Sequence, residues 1–300
     1  MSPKSPRNPD LENDRVHETE LRAGPPSLMR PRIVFLSLVL AALVGWLAYP
    51  SLTGIYRLEP WDHSLGLVSR PVSATERTVD VLFIGNSFTS SHAMPAMLVN
   101  LASTDPANPV RLRVWTVTRG GTSLADHRAD GRAAKVLASR SFDYVVLNQQ
   151  SFWAYSPDWV AETSADVAYW AELIRRNGAQ PVLYETWSDG VGSSVYAAGG
   201  VLQNVTPAMC QTKISEETAD LARVQSMSVV AVGQRFFRAQ NALSQDLFAA
   251  DRHHPSVSGA YLSAASFYRF FTGRSAAHSS YRPRGLTEAD ARRLAEIASQ

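Results

Sequence analysis

The sequence predicts a three-layer α/β/α fold, with a parallel sheet of about five strands between layers of helices. Two observations carry that expectation. Short apolar, β-branched runs recur at 79–84, 110–118, 142–147, 181–185 and 227–232, with helix-like segments between them. Several of these runs stop at turns rich in Gly, Asn, Gln or Ser, and open α/β sheets place their ligand crevices at that edge.

Composition narrows the function. Of 300 residues, 45% are hydrophobic and 19% charged, which fits a globular protein with a sizeable core. A formal net charge of +2, without an arginine- and aromatic-rich patch, argues against nucleic acid as a partner. Cys210 is the only cysteine, so an internal disulfide and a multi-cysteine zinc site are excluded. No His/Asp/Glu cluster stands at ligand spacing, and neither a metal nor a cofactor is expected.

Taken in order, residues 1–29 are rich in Pro, Ser, Asn and charges of both signs and predict a disordered tail. The run 33–49 carries no charge, and the uncharged stretch continues to Tyr56, reaching the roughly 20 residues that cross a bilayer core. Arg30 and Arg32 precede it, and Trp46 and Tyr49 lie toward its far end, where aromatic rings favour the interface. A transmembrane signal anchor over 30–52 follows, with the tail cytoplasmic and the rest of the chain outside the inner or plasma membrane. A buried core helix and a cleaved signal peptide are the rival readings. The long tail and the lack of a clean small-x-small site weigh against cleavage. A polar and aromatic linker over 53–78, containing Pro60 and Pro71, then spaces the main domain from the membrane.

The domain over 79–273 opens with the first strand, which ends abruptly in Gly85-Asn86-Ser87. Gly85 permits a tight turn, and Ser87 would sit near the N-terminus of the next helix, where negative charge is favoured. Alone, such a serine is as readily a helix N-cap. The second strand, Val110–Thr118, leads to Arg119-Gly120-Gly121-Thr122-Ser123 and a helix over 123–139. The third strand, 142–147, leads to Asn148-Gln149-Gln150-Ser151. A helix over 159–176 and a fourth strand over 181–185 follow, with Glu185 and Trp187 at the strand end. The glycine- and serine-rich 190–205 reads as a long loop, a lid or substrate-binding segment. After the fifth strand, Asp251-Arg252-His253-His254-Pro255 precedes a strong helix over 256–271. A C-terminal helical extension, 274–300, ends in a helix over 287–298 that Thr287 caps and whose first turn holds Glu288 and Asp290.

These blocks together resemble the SGNH (GDSL-like) hydrolase superfamily. Gly85-Asn86-Ser87-Phe88 stands in place of the usual Gly-Asp-Ser-Leu, Gly121-Thr122-Ser123 resembles the glycine block, and Asp251 to Pro255 match Asp-x-x-His-Pro in full. The third block, usually Gly-x-Asn-Asp, falls on Asn148-Gln149-Gln150-Ser151 and departs from the pattern. The resemblance implies a flavodoxin-like parallel sheet and a serine hydrolase. Ser87 would be the nucleophile, His254 its base, and Asp251 the carboxylate that holds the imidazole. The oxyanion donors implied are the Ser87 and Gly121 N–H groups and a side-chain amide, with Gln150 at the matching place and Asn148 or Gln149 as alternatives. His253 is the rival base if the register is shifted. His92 and His127 read as surface or second-shell groups. Asn86, Trp187 and Glu185 are expected near the substrate, as are the aromatic side chains of Phe152, Trp153 and Tyr155.

The function expected is a membrane-anchored, extracytoplasmic esterase that hydrolyses a small O-acyl ester, such as an acetyl group on a cell-envelope carbohydrate. Two alternatives stand beside it: an O-acyltransferase using the same three residues, and a catalytically silent scaffold of the same fold.

Overall fold

The computed structural model describes residues 77–300, apart from 151, 241, 242, 244 and 245. The expected tail, the membrane span over 30–52 and all but the end of the linker lie outside the described residues. Among the described residues, no helix is long and apolar enough to cross a membrane.

In chain order the elements are β1 (Arg77–Gly85), α1 (Ser87–Ser90), α2 (Met94–Thr104), β2 (Val110–Thr118), α3 (Leu124–Asp130), α4 (Arg132–Ser139) and β3 (Tyr144–Leu147). Then come α5 (Pro157–Arg176), β4 (Gln180–Glu185), α6 (Pro207–Val224), β5 (Ser228–Ala231), α7 (Val232–Ala239), α8 (Val257–Thr272) and α9 (Glu288–Ala298). The strands form one parallel sheet in the order β2-β1-β3-β4-β5, the flavodoxin-like arrangement. The order reverses at β1, whose two neighbours are β2 and β3, and the crevice of such a sheet opens there.

Both faces of β1 are apolar because helices cover both. Val79, Val81 and Phe83 point into one core with α2, α8, α9 and the inner side of α7. Leu82 and Ile84 point into the other, with α3, α4, α5 and α6. Each fully buried side chain of this size contributes roughly 1.5–3 kcal/mol, so β1 is fixed in register from two sides. Gly85 pairs with Thr118 of β2, and Ile84 with Leu147 of β3, which aligns the ends of β1, β2 and β3.

Several boundaries differ from the sequence reading. The single helix expected over 123–139 is two, because Gly131 adopts a left-handed conformation (φ 69°) that ends α3. The fifth strand stops at Ala231, and Val232 already begins α7. Neither α6 nor α7 is assigned from the sequence. The 190–205 loop carries a short 3₁₀ turn, Ser194–Tyr196. The C-terminal stretch is part of the first core rather than an appendage, since Leu294, Ala295, Ile297 and Ala298 are all buried there. Thr287 caps α9 as expected, accepting a hydrogen bond from Asp290 N.

Candidate active site

The turn after β1 is built around Asn86. Its Oδ1 accepts from Phe88 N (3.1 Å), capping α1, and its Nδ2 donates to Thr122 O and Gln149 O (both 3.3 Å). One side chain thus ties the turn to the loops after β2 and β3. Asn148 adds a second tie: its Oδ1 accepts from Asn86 N (3.2 Å) and from Thr89 Oγ1 (2.9 Å). Gly85 is required by this approach, because a Cβ there would lie 2.6 Å from Asn148 Cβ and 2.7 Å from its Oδ1. Beneath the turn, fully buried His127 bonds Gly85 O through Nε2 (2.7 Å). A carbonyl only accepts, so Nε2 carries the proton, and burial pushes the His127 pKa down. Ser87 follows as the first residue of α1, a position whose N–H has no acceptor within the helix.

The 251–254 turn delivers an imidazole to that serine. His254 Nε2 lies 2.9 Å from Ser87 Oγ, across 167 residues of sequence. His254 Nδ1 lies 2.6 Å from Asp251 Oδ2. Asp251 Oδ1 also accepts from His253 N and His254 N, each at 3.0 Å, which fixes the carboxylate against the ring. Partial burial pushes the Asp251 carboxyl up, but the hydrogen bonds from the His254 ring and from both N–H groups outweigh it and hold the pKa at about 2. The ionised Asp251 carboxylate accepts the hydrogen bond from His254 Nδ1–H, which leaves the Nε2 lone pair toward the serine hydroxyl. A hydroxyl placed so has a base at hand, and the imidazolium that forms has a carboxylate to stabilise it.

The remaining expected residues are distributed unevenly. Gly121 is exposed on the loop after β2 and is left-handed (φ 66°), and this loop is pinned beside the turn by Arg119 N donating to Gly85 O (3.2 Å). Of the three candidate amides, Asn148 is buried and bonded as described, and Gln149 donates to Thr163 Oγ1 (2.8 Å). Gln150 is exposed on the same rim.

Asn86, Trp187 and Glu185, expected to line the substrate, are instead all buried. Asn86 is taken up by the turn. Trp187 stacks on Phe236 (ring centroids 3.9 Å, 9°) and donates Nε1–H to His253 O (3.0 Å). Glu185 accepts from Gln211, Ser215 and Gln234, and burial is the leading cause of its raised pKa. Trp153 is buried as well, whereas Phe152 and Tyr155 are half-buried. His92 is exposed, and His127 belongs under the turn rather than at the surface. The sequence reading passed over Asp189, whose Oδ1 lies 2.7 Å from His253 Nδ1. Nothing local marks that pairing, since the two residues are 64 apart. Among the described residues, no group of three His, Cys, Asp or Glu is placed to hold a metal ion.

The fold is that of the SGNH-type hydrolases, a class of enzymes acting on ester bonds. A protein assigned as an SGNH hydrolase from Slackia heliotrinireducens is 28% identical over 66% of this chain and 100% of its own, with a TM-score of 0.54. A DUF4886 family protein from Bacteroides uniformis shares the fold at 18% identity, covering 74% of this chain and 93% of its own, with a TM-score of 0.63. A variant of Axe2, an acetyl-xylooligosaccharide esterase from Geobacillus stearothermophilus, shares it at 14% identity, covering 69% and 99%, with a TM-score of 0.51. No protein-family model matches the sequence. No curated protein matches it.

Proposed function

We propose that the chain hydrolyses a small O-acyl ester through an acyl-serine intermediate, with Ser87 as nucleophile, His254 as general base and Asp251 as its orienting carboxylate. The observation that carries this reading is the continuous relay from Asp251 Oδ2 through His254 to Ser87 Oγ, at 2.6 and 2.9 Å. His254 takes the hydroxyl proton as Oγ attacks the acyl carbon, then returns it to the leaving alcohol. Water repeats the sequence on the acyl-enzyme and releases the acid. The oxyanion is held by the N–H groups of Ser87 and Gly121, with the Gln150 amide as third donor. Gln150 takes that place because the Asn148 and Gln149 amides are already engaged within the rim.

The substrate we assign is an acetylated carbohydrate. Support comes from the sugar-ester specificity named for one structural neighbour and from the uncharged run over 33–49, which favours an anchored domain facing the cell envelope. Purified protein should release acetate from acetylated xylo-oligosaccharide, and Ser87→Ala should abolish release while leaving the thermal midpoint unchanged. Transfer of acetyl to an added glycan without free acetate would make the chain an acyltransferase. Wild-type release equal to that of Ser87→Ala would remove the enzymatic reading.

A further inference from the structure

We propose that His253 is a positioning residue for His254: with buried Asp189 it fastens the turn carrying the base to the segment that follows β4. The inference rests on the reading of His254 as the general base.

The turn needs fastening. Arg252, in its middle, is left-handed (φ 60°), a conformation that a side-chain-bearing residue keeps only where its surroundings enforce it. Those surroundings come from the 187–193 segment. Gly190 N donates to Arg252 O (2.7 Å), Arg252 Nε donates to Val191 O (3.0 Å), and Trp187 Nε1 donates to His253 O (3.0 Å). Arg252 also pairs with Asp246. The two segments run so close that a Cβ on Gly190 would meet the Arg252 guanidinium at 2.9 Å and the Phe248 ring at 3.0 Å.

His253 and Asp189 form the side-chain link in this contact. Asp189 is 2% exposed, and its two oxygens divide between partners: Oδ1 with His253 Nδ1 (2.7 Å) and Oδ2 with Ser193 Oγ (2.7 Å). A carboxylate buried to this extent must be hydrogen-bonded, so the link is strongly preferred over its loss. The His253 ring also packs against both the residue after the nucleophile and the base. Its centroid lies 4.9 Å from that of Phe88, the neighbour of Ser87, and 4.8 Å from that of His254, perpendicular to it. The Ser87–His254 bond requires the turn to stand correctly, and a displacement of about 1 Å in such a site costs on the order of 10²-fold in rate. His253 therefore acts through His254, while His254 makes the contact to Ser87.

The test compares His253→Leu, which keeps bulk against Phe88 but drops the Asp189 bond, with His253→Asn, whose amide N–H stands near the Nδ1 position but which has no counterpart of Nε2. With p-nitrophenyl acetate, His253→Leu should lower kcat by about 10- to 100-fold with little change in KM, and His253→Asn should recover to within about 3-fold of wild type. Adding Asp189→Asn to His253→Leu should cost nothing further, since the two act as one unit. His253→Asn as slow as His253→Leu would overturn the proposal by showing that the bond to Asp189 is not what the residue supplies. A raised KM at unchanged kcat, additive losses, or a wild-type rate in His253→Leu would overturn it equally. Should His253→Leu not fold, the rate of Ser87 labelling by a fluorophosphonate decides on His253→Asn alone: within about 3-fold of wild type supports the link, and a loss beyond about 10-fold ends it. Absence of a Ser87 adduct in the wild type would instead sink the esterase reading, so the two failures are distinguishable.

Discussion

The Asn86→Asp substitution restores the residue usual in the Gly-Asp-Ser-Leu block, and here it should destabilise the protein. Phe88 N can be met only by oxygen, so the Asn86 amide nitrogen is the atom facing Thr122 O and Gln149 O, each at 3.3 Å. An aspartate would place a carboxylate oxygen against two carbonyl oxygens at a site only 5% exposed. Leaving a buried acceptor without its donor costs about 1–3 kcal/mol. Gln149 O keeps a second donor, Asn148 Nδ2 at 2.9 Å, so its loss is the smaller of the two. A carboxylate at a helix N-terminus gains about 0.3–1 kcal/mol, less in a helix of one turn. The net is about 2–3 kcal/mol, which for a domain of this size lowers the thermal midpoint by roughly 5–10 °C. Burial against carbonyls also raises the new carboxyl's pKa, so the folded variant binds more protons than the unfolded one. Its deficit should therefore grow as pH rises and shrink on acidification, when the protonated acid regains one donor. Thermal melts of wild type and variant at about pH 8 and about pH 5 measure both effects. A variant as stable as wild type at the higher pH, or a deficit indifferent to pH, would refute the account of the turn.

Asp251→Asn should keep the fold and lower kcat by about 10²- to 10⁴-fold, because an amide does not fix the His254 tautomer as the carboxylate does; steady-state kinetics on an aryl acetate checks it. In the wild type, the folded pKa of about 2 lies below the ordinary 3.8, so stability contributed by Asp251 is complete above the ordinary value and is lost as pH falls toward about 2; urea titrations of wild type and Asp251→Asn across that window should converge at the acid end. Buried His127 has the opposite charge type. Its pKa is lowered from 6.5, so the unfolded chain binds the proton first and stability declines as pH drops below that value. His127→Gln, which keeps a donor for Gly85 O, should flatten this slope in denaturation midpoints measured from about pH 7 to about pH 5.

Much of the fold was legible because a parallel sheet covered on both faces writes its strands as continuous apolar runs. Val110–Thr118 coincides with the reading made from the sequence. The break in the helix over 123–139 was also present as Gly131, but a lone glycine in a helical pattern does not announce whether it bends, caps or is tolerated. The start of α6 was marked by Thr206, which caps it, and Pro207 at its first position. Its buried face mixes Cys210 and Ile214 with Gln211 and Thr218, so hydrophobic periodicity missed it. In the site, Ser87, His254 and Asp251 carry local motifs and the structure brings them together. The burial of Trp187, Glu185 and Asn86 was not legible, because a strand-end position gives the edge of the sheet but not the direction of the side chain. Asp189 carries no motif and becomes visible only when His253 is folded against it.

The most direct measurement is mass spectrometry of the protein after exposure to a fluorophosphonate. The 2.9 Å approach of His254 Nε2 to Ser87 Oγ predicts a single adduct, on the peptide containing Ser87, formed rapidly by wild type and at least about 100-fold more slowly by His254→Ala. No adduct, an adduct on another serine, or labelling of Ser87 at the same rate without His254 would contradict the assignment of an imidazole-activated hydroxyl.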